Sequence, residues 1–186
     1  MKSMSGLCRR IIGMLRLGLI KIINGKQLIL RSGLKACNLS PDTEIRIGCG
    51  GTIDLDAVGM ASNVHLSAWK GKIQIGKGCK LNRNDIIVSH RGISIGDGTI
   101  LGPNVCIYDH DHTFGANGVI AGEFRCDEVV IGSNVWIGAG VIVLRGSIIG
   151  DGCVIGAGCV VSGEIPARSL VTAANRELRI EPLCGS

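Results

Sequence analysis

Aliphatic side chains recur at every sixth position through the C-terminal half of the chain: Ile131, Ile137, Val143, Ile149, Ile155 and Val161. Four positions after each comes a smaller residue, in turn Val135, Val141, Ser147, Cys153 and Cys159, until the larger Ile165 closes the series. Glycine directly follows several of the aliphatics, at Gly132, Gly138, Gly150 and Gly156. An α-helix repeats its buried face every 3.6 residues and a strand every 2, so a strict period of six requires short strands separated by turns. The same spacing runs through Ile75, Leu81 and Ile87, and again through Ile95, Leu101 and Ile107. Short self-similar periods predict a stacked architecture, in which each unit buries its apolar edge against its neighbours.

The pattern divides the chain. It starts at about residue 45 with Ile47 and Ile53, loosens over 59–72 where Val64 and Leu66 point inward, and stops at Pro166. Residues 45–172 therefore read as one stacked domain, 1–44 as a helix with its lead-in, and 173–186 as a tail with a short closing segment. Between Ile107 and Val130 the spacing fails completely, which predicts a loop over 108–130 extruded from the side of the stack. Long loops on rigid scaffolds usually carry function.

Composition narrows this picture. Glycine is frequent, at 29 of 186 residues, against two Trp, one Tyr and two Phe, so tight turns surround a narrow aliphatic interior. The net charge of +5 is unevenly placed: residues 1–46 hold nine Lys/Arg against Asp42 and Glu44, and the rest of the chain is slightly acidic. Neither spread basic residues nor aromatic platforms accompany that charge, which argues against a nucleic-acid partner and for phosphate-bearing small molecules or a membrane surface. The nine cysteines form no Cys-x-x-Cys pair, and Cys79, Cys153 and Cys159 fall in the small inward slot, where a thiol acts as a small hydrophobe. Free thiols imply a reducing, cytoplasmic setting.

Residues 1–25 read as a basic apolar helix, with Leu7, Ile11, Ile12, Leu15, Leu19, Ile22 and Ile23 among Arg9, Arg10, Arg16 and Lys21. Its apolar runs are too short and interrupted for a signal peptide or a membrane span. Two readings stand: it docks on the end of the stack, covering an open edge, or residues 1–26 lie peripherally on the inner face of an anionic membrane.

The segments Ile95-Gly96-Asp97-Gly98-Thr99, Ile131 to Gly140 and Val154-Ile155-Gly156-Ala157-Gly158 resemble the hexapeptide-repeat acyltransferases, over residues 45–172. The resemblance implies an all-β fold, a left-handed parallel β-helix assembled as a homotrimer, and acetyl-CoA as acyl donor with no metal. The N-terminal helix resembles that of enzymes of surface-polysaccharide assembly, which implies a sugar-containing or lipid-linked acceptor.

Acyl transfer from a thioester to a hydroxyl needs a base for the hydroxyl proton and donors for the oxyanion. Histidine suits the base because it titrates near neutrality. His65 and His90 sit in or near the repeats and read as structural, whereas the loop opens on Asp109-His110-Asp111-His112. In the family's sugar acetyltransferases the base follows the last inward aliphatic by five residues, which counted from Ile107 is His112. His110 is the alternative, orienting base or acceptor.

Asp109, Asp111 and Glu123 are candidate carboxylate partners of the imidazole or the acceptor. Asn84, in Asn82-Arg83-Asn84-Asp85, resembles a sugar-contacting asparagine of galactoside-type relatives and reads equally as a turn residue. By the same resemblance, CoA meets Trp136, Gly138, Ala139, Ala157 and Gly158. Its 3′-phosphate falls to Arg168, Arg176 or Arg179, because the family's usual lysine and Gly-Asn-Pro-Ala are replaced by Ser162-Gly163 and Ala173-Ala174-Asn175-Arg176. Rival readings are a γ-type carbonic anhydrase, which needs three converging histidines, a non-catalytic solenoid, and transfer to an amino acid, an antibiotic or an amino-sugar nitrogen.

Overall fold

The computed structural model describes residues 6–173. Three parallel sheets of seven, seven and six strands form the faces of a left-handed β-helix, and a two-stranded antiparallel hairpin stands out from it. Successive strands of the chain visit the first, second and third face in turn, and each pairs with the strand one coil away.

Each six-residue step carries the chain to the next face, so the spacing supplies one inward residue per face in every coil. On the first face Leu30, Leu55, Ile75, Ile95, Ile131, Ile149 and Ile165 stand in register. On the third, Ile45, Leu66, Ile87, Ile107, Val143 and Val161 do the same. Burying each such side chain contributes about 1.5–3 kcal/mol, and backbone hydrogen bonds join the strands of successive coils. The stack starts at Leu28–Leu30, upstream of residue 45, because the Leu28, Leu30 and Leu39 side chains supply a first coil that the strict period does not reveal.

The small slots are inward too. Cys79, Cys153 and Cys159 are buried, and the Cys79 and Cys153 thiols donate to the carbonyls of Gly96 and Pro166. Turns between faces place asparagines in the left-handed region, Asn63 at φ 59°, Asn84 at 62° and Asn104 at 61°, a conformation that asparagine tolerates better than most residues.

The helix Gly6–Asn24 lies across the first coil. Gly13 permits this approach, since a Cβ there would sit 2.0 Å from the Leu39 carbonyl oxygen. Leu17 beside it is fully buried. Arg9 donates to Ser40 and Ser62 Oγ, Arg16 to the Pro41 carbonyl, and Lys21 to the Gly25 and Leu28 carbonyls, so the helix is tied down by its basic side chains.

One inward slot holds a charge. Asp85, fully buried, occupies the column between Val64 and Val105, accepting from the backbone N–H groups of Asn82 and Val105 at 2.6 and 2.9 Å. Burial pushes its carboxyl up to about 7 against those two hydrogen bonds. Between about pH 4 and 7 the folded chain thus holds a proton that the unfolded chain has released, so this group costs stability as pH rises through that window. Asp85→Asn should gain on the wild type across it, by on the order of 2 kcal/mol, in denaturant titrations at pH 4.5 and 7.5. A stability difference that does not move with pH would exclude a buried titrating carboxyl.

Candidate functional site

The site forms where the third face turns back to the first. The strand Ile86–Ser89 runs into His90, Arg91 and Gly92, and one coil later Cys106–Tyr108 runs into Asp109 and His110. Alternation from Ile107 turns Asp109 inward, where it is fully buried. One carboxylate oxygen accepts from Ser89 Oγ at 2.7 Å and from the N–H groups of Arg91 and Gly92 at 2.8 and 2.7 Å. The other accepts from the His90 N–H at 2.8 Å and meets His110 Nδ1 at 3.0 Å. Burial works to raise this carboxyl, but the bonds from His110, His90, Ser89 and Arg91 outweigh it and hold the group down to about 2.

His110 and His90 occupy equivalent places in successive coils, and their rings stack with centroids 3.9 Å apart and planes 22° from parallel. Burial and the neighbouring His110 lower the pKa of His90, partly offset by Asp109. Phe124 reaches across from the hairpin, with its ring 4.6 Å from His90, 5.5 Å from His110 and 4.7 Å from His112.

The hairpin, His110–Gly115 and Gly118–Cys126, sets His112 opposite Phe124, and its register shifts between His112 and Phe114. Its base closes where the Asp127 N–H donates to the Asp109 carbonyl, and Arg145, one coil on, binds both Asp111 and Asp127. A cleft of about 420 Å³ opens beside the stacked imidazoles, lined by Trp69, Lys70, His90, Phe124 and Gly122 with Ser67 and Val88.

The expected residues separate into groups. Asp109, His110 and His112 share this corner; Asp111 is engaged by Arg145, and Glu123 is exposed on the hairpin. Asn84 does not join them. It sits at the opposite end of the third face as a left-handed turn residue, accepting from the Asn63 amide and donating to Asn104, each at 3.0 Å. Stacking aligns equivalent positions of successive coils, and within one chain Asn84 aligns with Asn63 and Asn104 rather than with the histidines.

Gly138, Ala139, Ala157 and Gly158 do meet, at the corner between second and third faces. There the Gly158 N–H donates to the Ala139 carbonyl, and a Cβ on Gly138 would lie 2.6 Å from the Ala157 nitrogen. Trp136 stands exposed on the second face beside them. Arg168 is a left-handed turn residue, whereas Arg176 and Arg179 lie outside the described residues. Among the described residues no three His, Cys, Asp or Glu side chains converge on a point that could hold a metal ion.

Sequence reasoning missed His90, Trp69 and Arg145. The signal for His90 was the 20-residue offset between Ile87 and Ile107, which carries position 90 onto 110.

A family model described as bacterial transferase hexapeptide (six repeats) matches residues 128–163. These residues form the coils that follow the hairpin, so the hexapeptide repeat is matched in that part of the stack. Among solved structures, the chain resembles a maltose O-acetyltransferase from Clostridium difficile 630, at 27% identity over 88% of this chain and 81% of that one, with a TM-score of 0.57. The Vibrio cholerae hexapeptide-repeat acetyltransferase VCA0836, complexed with acetyl coenzyme A, shares its fold at 21% identity over 91% and 85% of the two chains, TM-score 0.55. So does AntD, an N-acyltransferase from Bacillus cereus in complex with dTDP and 3-hydroxybutyryl-CoA, at 20% identity over 83% and 81%, TM-score 0.68. A comparison with curated protein sequences found no significant match.

Asp109 should matter to the fold as well as to the site. Asp109→Ala leaves the buried donors Ser89 Oγ and the N–H groups of Arg91 and Gly92 without their acceptor. The expected loss is at least about 3 kcal/mol at neutral pH by chemical denaturation. Because the folded pKa is depressed, the wild type's advantage should be full above about pH 4 and shrink as pH falls toward 2. An Ala variant as stable as the wild type at pH 7 would contradict this role.

Proposed function

We propose that this protein is an acyltransferase that moves an acetyl group from acetyl-CoA to a hydroxyl of a sugar-containing acceptor, with His110 as general base. The observation that carries the proposal is the tether of His110 Nδ1 to the buried Asp109 carboxylate. That bond fixes the ring and leaves Nε2 as the proton acceptor, the arrangement that a general base needs. In the reaction, Nε2 takes the acceptor hydroxyl proton as the oxygen attacks the thioester carbonyl. The tetrahedral intermediate collapses with loss of the CoA thiolate, which recovers the proton from the imidazolium. Asp109, ionised throughout the working range, stabilises that imidazolium without taking its proton. His112 lacks such a carboxylate partner and is exposed; its place beside Phe124 suits contact with the acceptor.

The likeness to a maltose O-acetyltransferase supports a sugar hydroxyl as acceptor. The Trp69 ring and the Lys70 side chain in the cleft beside His90 suit a pyranose face and an anionic substituent. An amino-sugar nitrogen would use the same base, and a screen of both acceptor types separates the two.

A donor site at Gly138, Ala139, Ala157 and Gly158 lies at the other end of the third face from His110. Five residues of strand, Asn104 to Asp109, make that roughly 17 Å. One copy's donor corner therefore needs a neighbour's histidine corner beside it, which supports a homotrimer with sites between subunits. Exposed Ile142 and Val160 on the third face, and Ile100, Trp136 and Leu170 on the second, are the apolar surface such packing would cover. The free thiols of Cys37, Cys79, Cys153 and Cys159, all buried, support a cytoplasmic setting.

His110→Ala should lower kcat by about 10²–10⁴-fold with labelled acetyl-CoA and a sugar acceptor, while thermal stabilisation by CoA is retained. His112→Ala should stay within about tenfold of wild type and act mainly on the acceptor KM. The reverse ranking would hand the base role to His112, and absence of any CoA stabilisation would remove the donor.

A further inference from the structure

The N-terminal helix is polarised the opposite way from an ordinary surface helix. At 3.6 residues per turn, its four basic residues Arg9, Arg10, Arg16 and Lys21 flank the side that meets the β-helix, where Gly13 and Leu17 are buried. The outward half carries no charged residue. Leu7, Leu15, Leu19, Ile22 and Ile23 are 69%, 67%, 58%, 80% and 72% exposed, in a stripe along the whole helix. Polar groups on the β-helix hold Arg9 and Arg16 down, so the docking contacts present the apolar side outward.

We propose that this face lies in the headgroup region of an anionic lipid bilayer, holding the protein on the membrane surface. Three observations choose this occupant. The helix has no acidic residue, and residues 1–46 carry nine Lys/Arg against two acidic side chains, so the surround of the apolar stripe complements a negative surface. Arg10, exposed on the border of the apolar face, can reach a headgroup phosphate while the aliphatics enter the acyl boundary. Near the start of the helix, Arg9, Arg10 and Arg83 with Ser40 and Ser62 line an open cleft of about 300 Å³ without an acidic side chain, a setting for a lipid phosphate. The helix lies on the bilayer and does not cross it, since among the described residues no helix is long and apolar enough to span. The proposal does not rest on acetyl transfer, though a lipid-linked acceptor would meet the enzyme there.

The full chain should sediment with phosphatidylglycerol–phosphatidylcholine vesicles at least about tenfold more than with phosphatidylcholine alone, and salt should weaken the attachment. Leu15→Glu with Ile22→Glu should abolish sedimentation while thermal unfolding and transfer to a soluble acceptor stay unchanged. Wild-type protein left in the supernatant with anionic vesicles would overturn the proposal, as would a variant that sediments normally. A fall in the variant's mass by light scattering would overturn it too, assigning the face to a contact between copies of the chain.

Discussion

Every strand of the stack satisfies its backbone through the strand one coil above or below, so the structure depends on equivalent residues returning to the same place in each coil. That return fixes side-chain columns: aliphatics at the middle of each face, small residues at the corners, asparagines at turns that need positive φ. The functional corner is one of these columns with its content changed. Where Ala68 and Ser89 stand in the coils before, the next coil has Asp109, and its carboxylate gathers donors from both its own coil and the preceding one. The same group stitches two coils together and orients an imidazole, so stability and chemistry meet at one side chain.

The extruded hairpin follows from the same rule. A segment that leaves the stack loses its coil partners, and here it replaces them with its own antiparallel pairing, from His110 against Cys126 to Gly115 against Gly118. Its base is then closed by the Asp127 N–H to Asp109 and by Arg145 from the following coil. Rigid coils thus fix the position of His110, while Phe124 at the far strand of the hairpin closes over both stacked rings.

Much of this was legible in the chain. The columns Ile75 to Ile165 and Ile87 to Val161 follow from the six-residue spacing, and its failure after Ile107 marks where the hairpin leaves. Three things were not legible from local pattern. Counting five residues from Ile107 points at His112, whereas the inward alternation that makes Asp109 a buried acceptor ties that carboxylate to the neighbouring His110. His90 reads as an ordinary repeat residue until coil length is known. The first coil hides because Leu28 and Leu39 are separated by irregular chain, including a tight turn at Gly33 with φ 81°. The helix is half docked: Gly13 and Leu17 are its buried residues, because one face of one helix suffices to cover the end of a narrow prism.

The pairing of His90 with His110 has a consequence for charge. Two imidazoles with centroids 3.9 Å apart repel if both are protonated, and burial already disfavours the charged form of His90. Asp109 contacts only the His110 ring, while it binds His90 through its backbone N–H. The carboxylate is thus shared between two coils, meeting the ring of one histidine and the backbone of the other, while burial disfavours the charged form of His90. The negative charge beside the His110 ring is therefore already in place, held by backbone donors on the preceding coil.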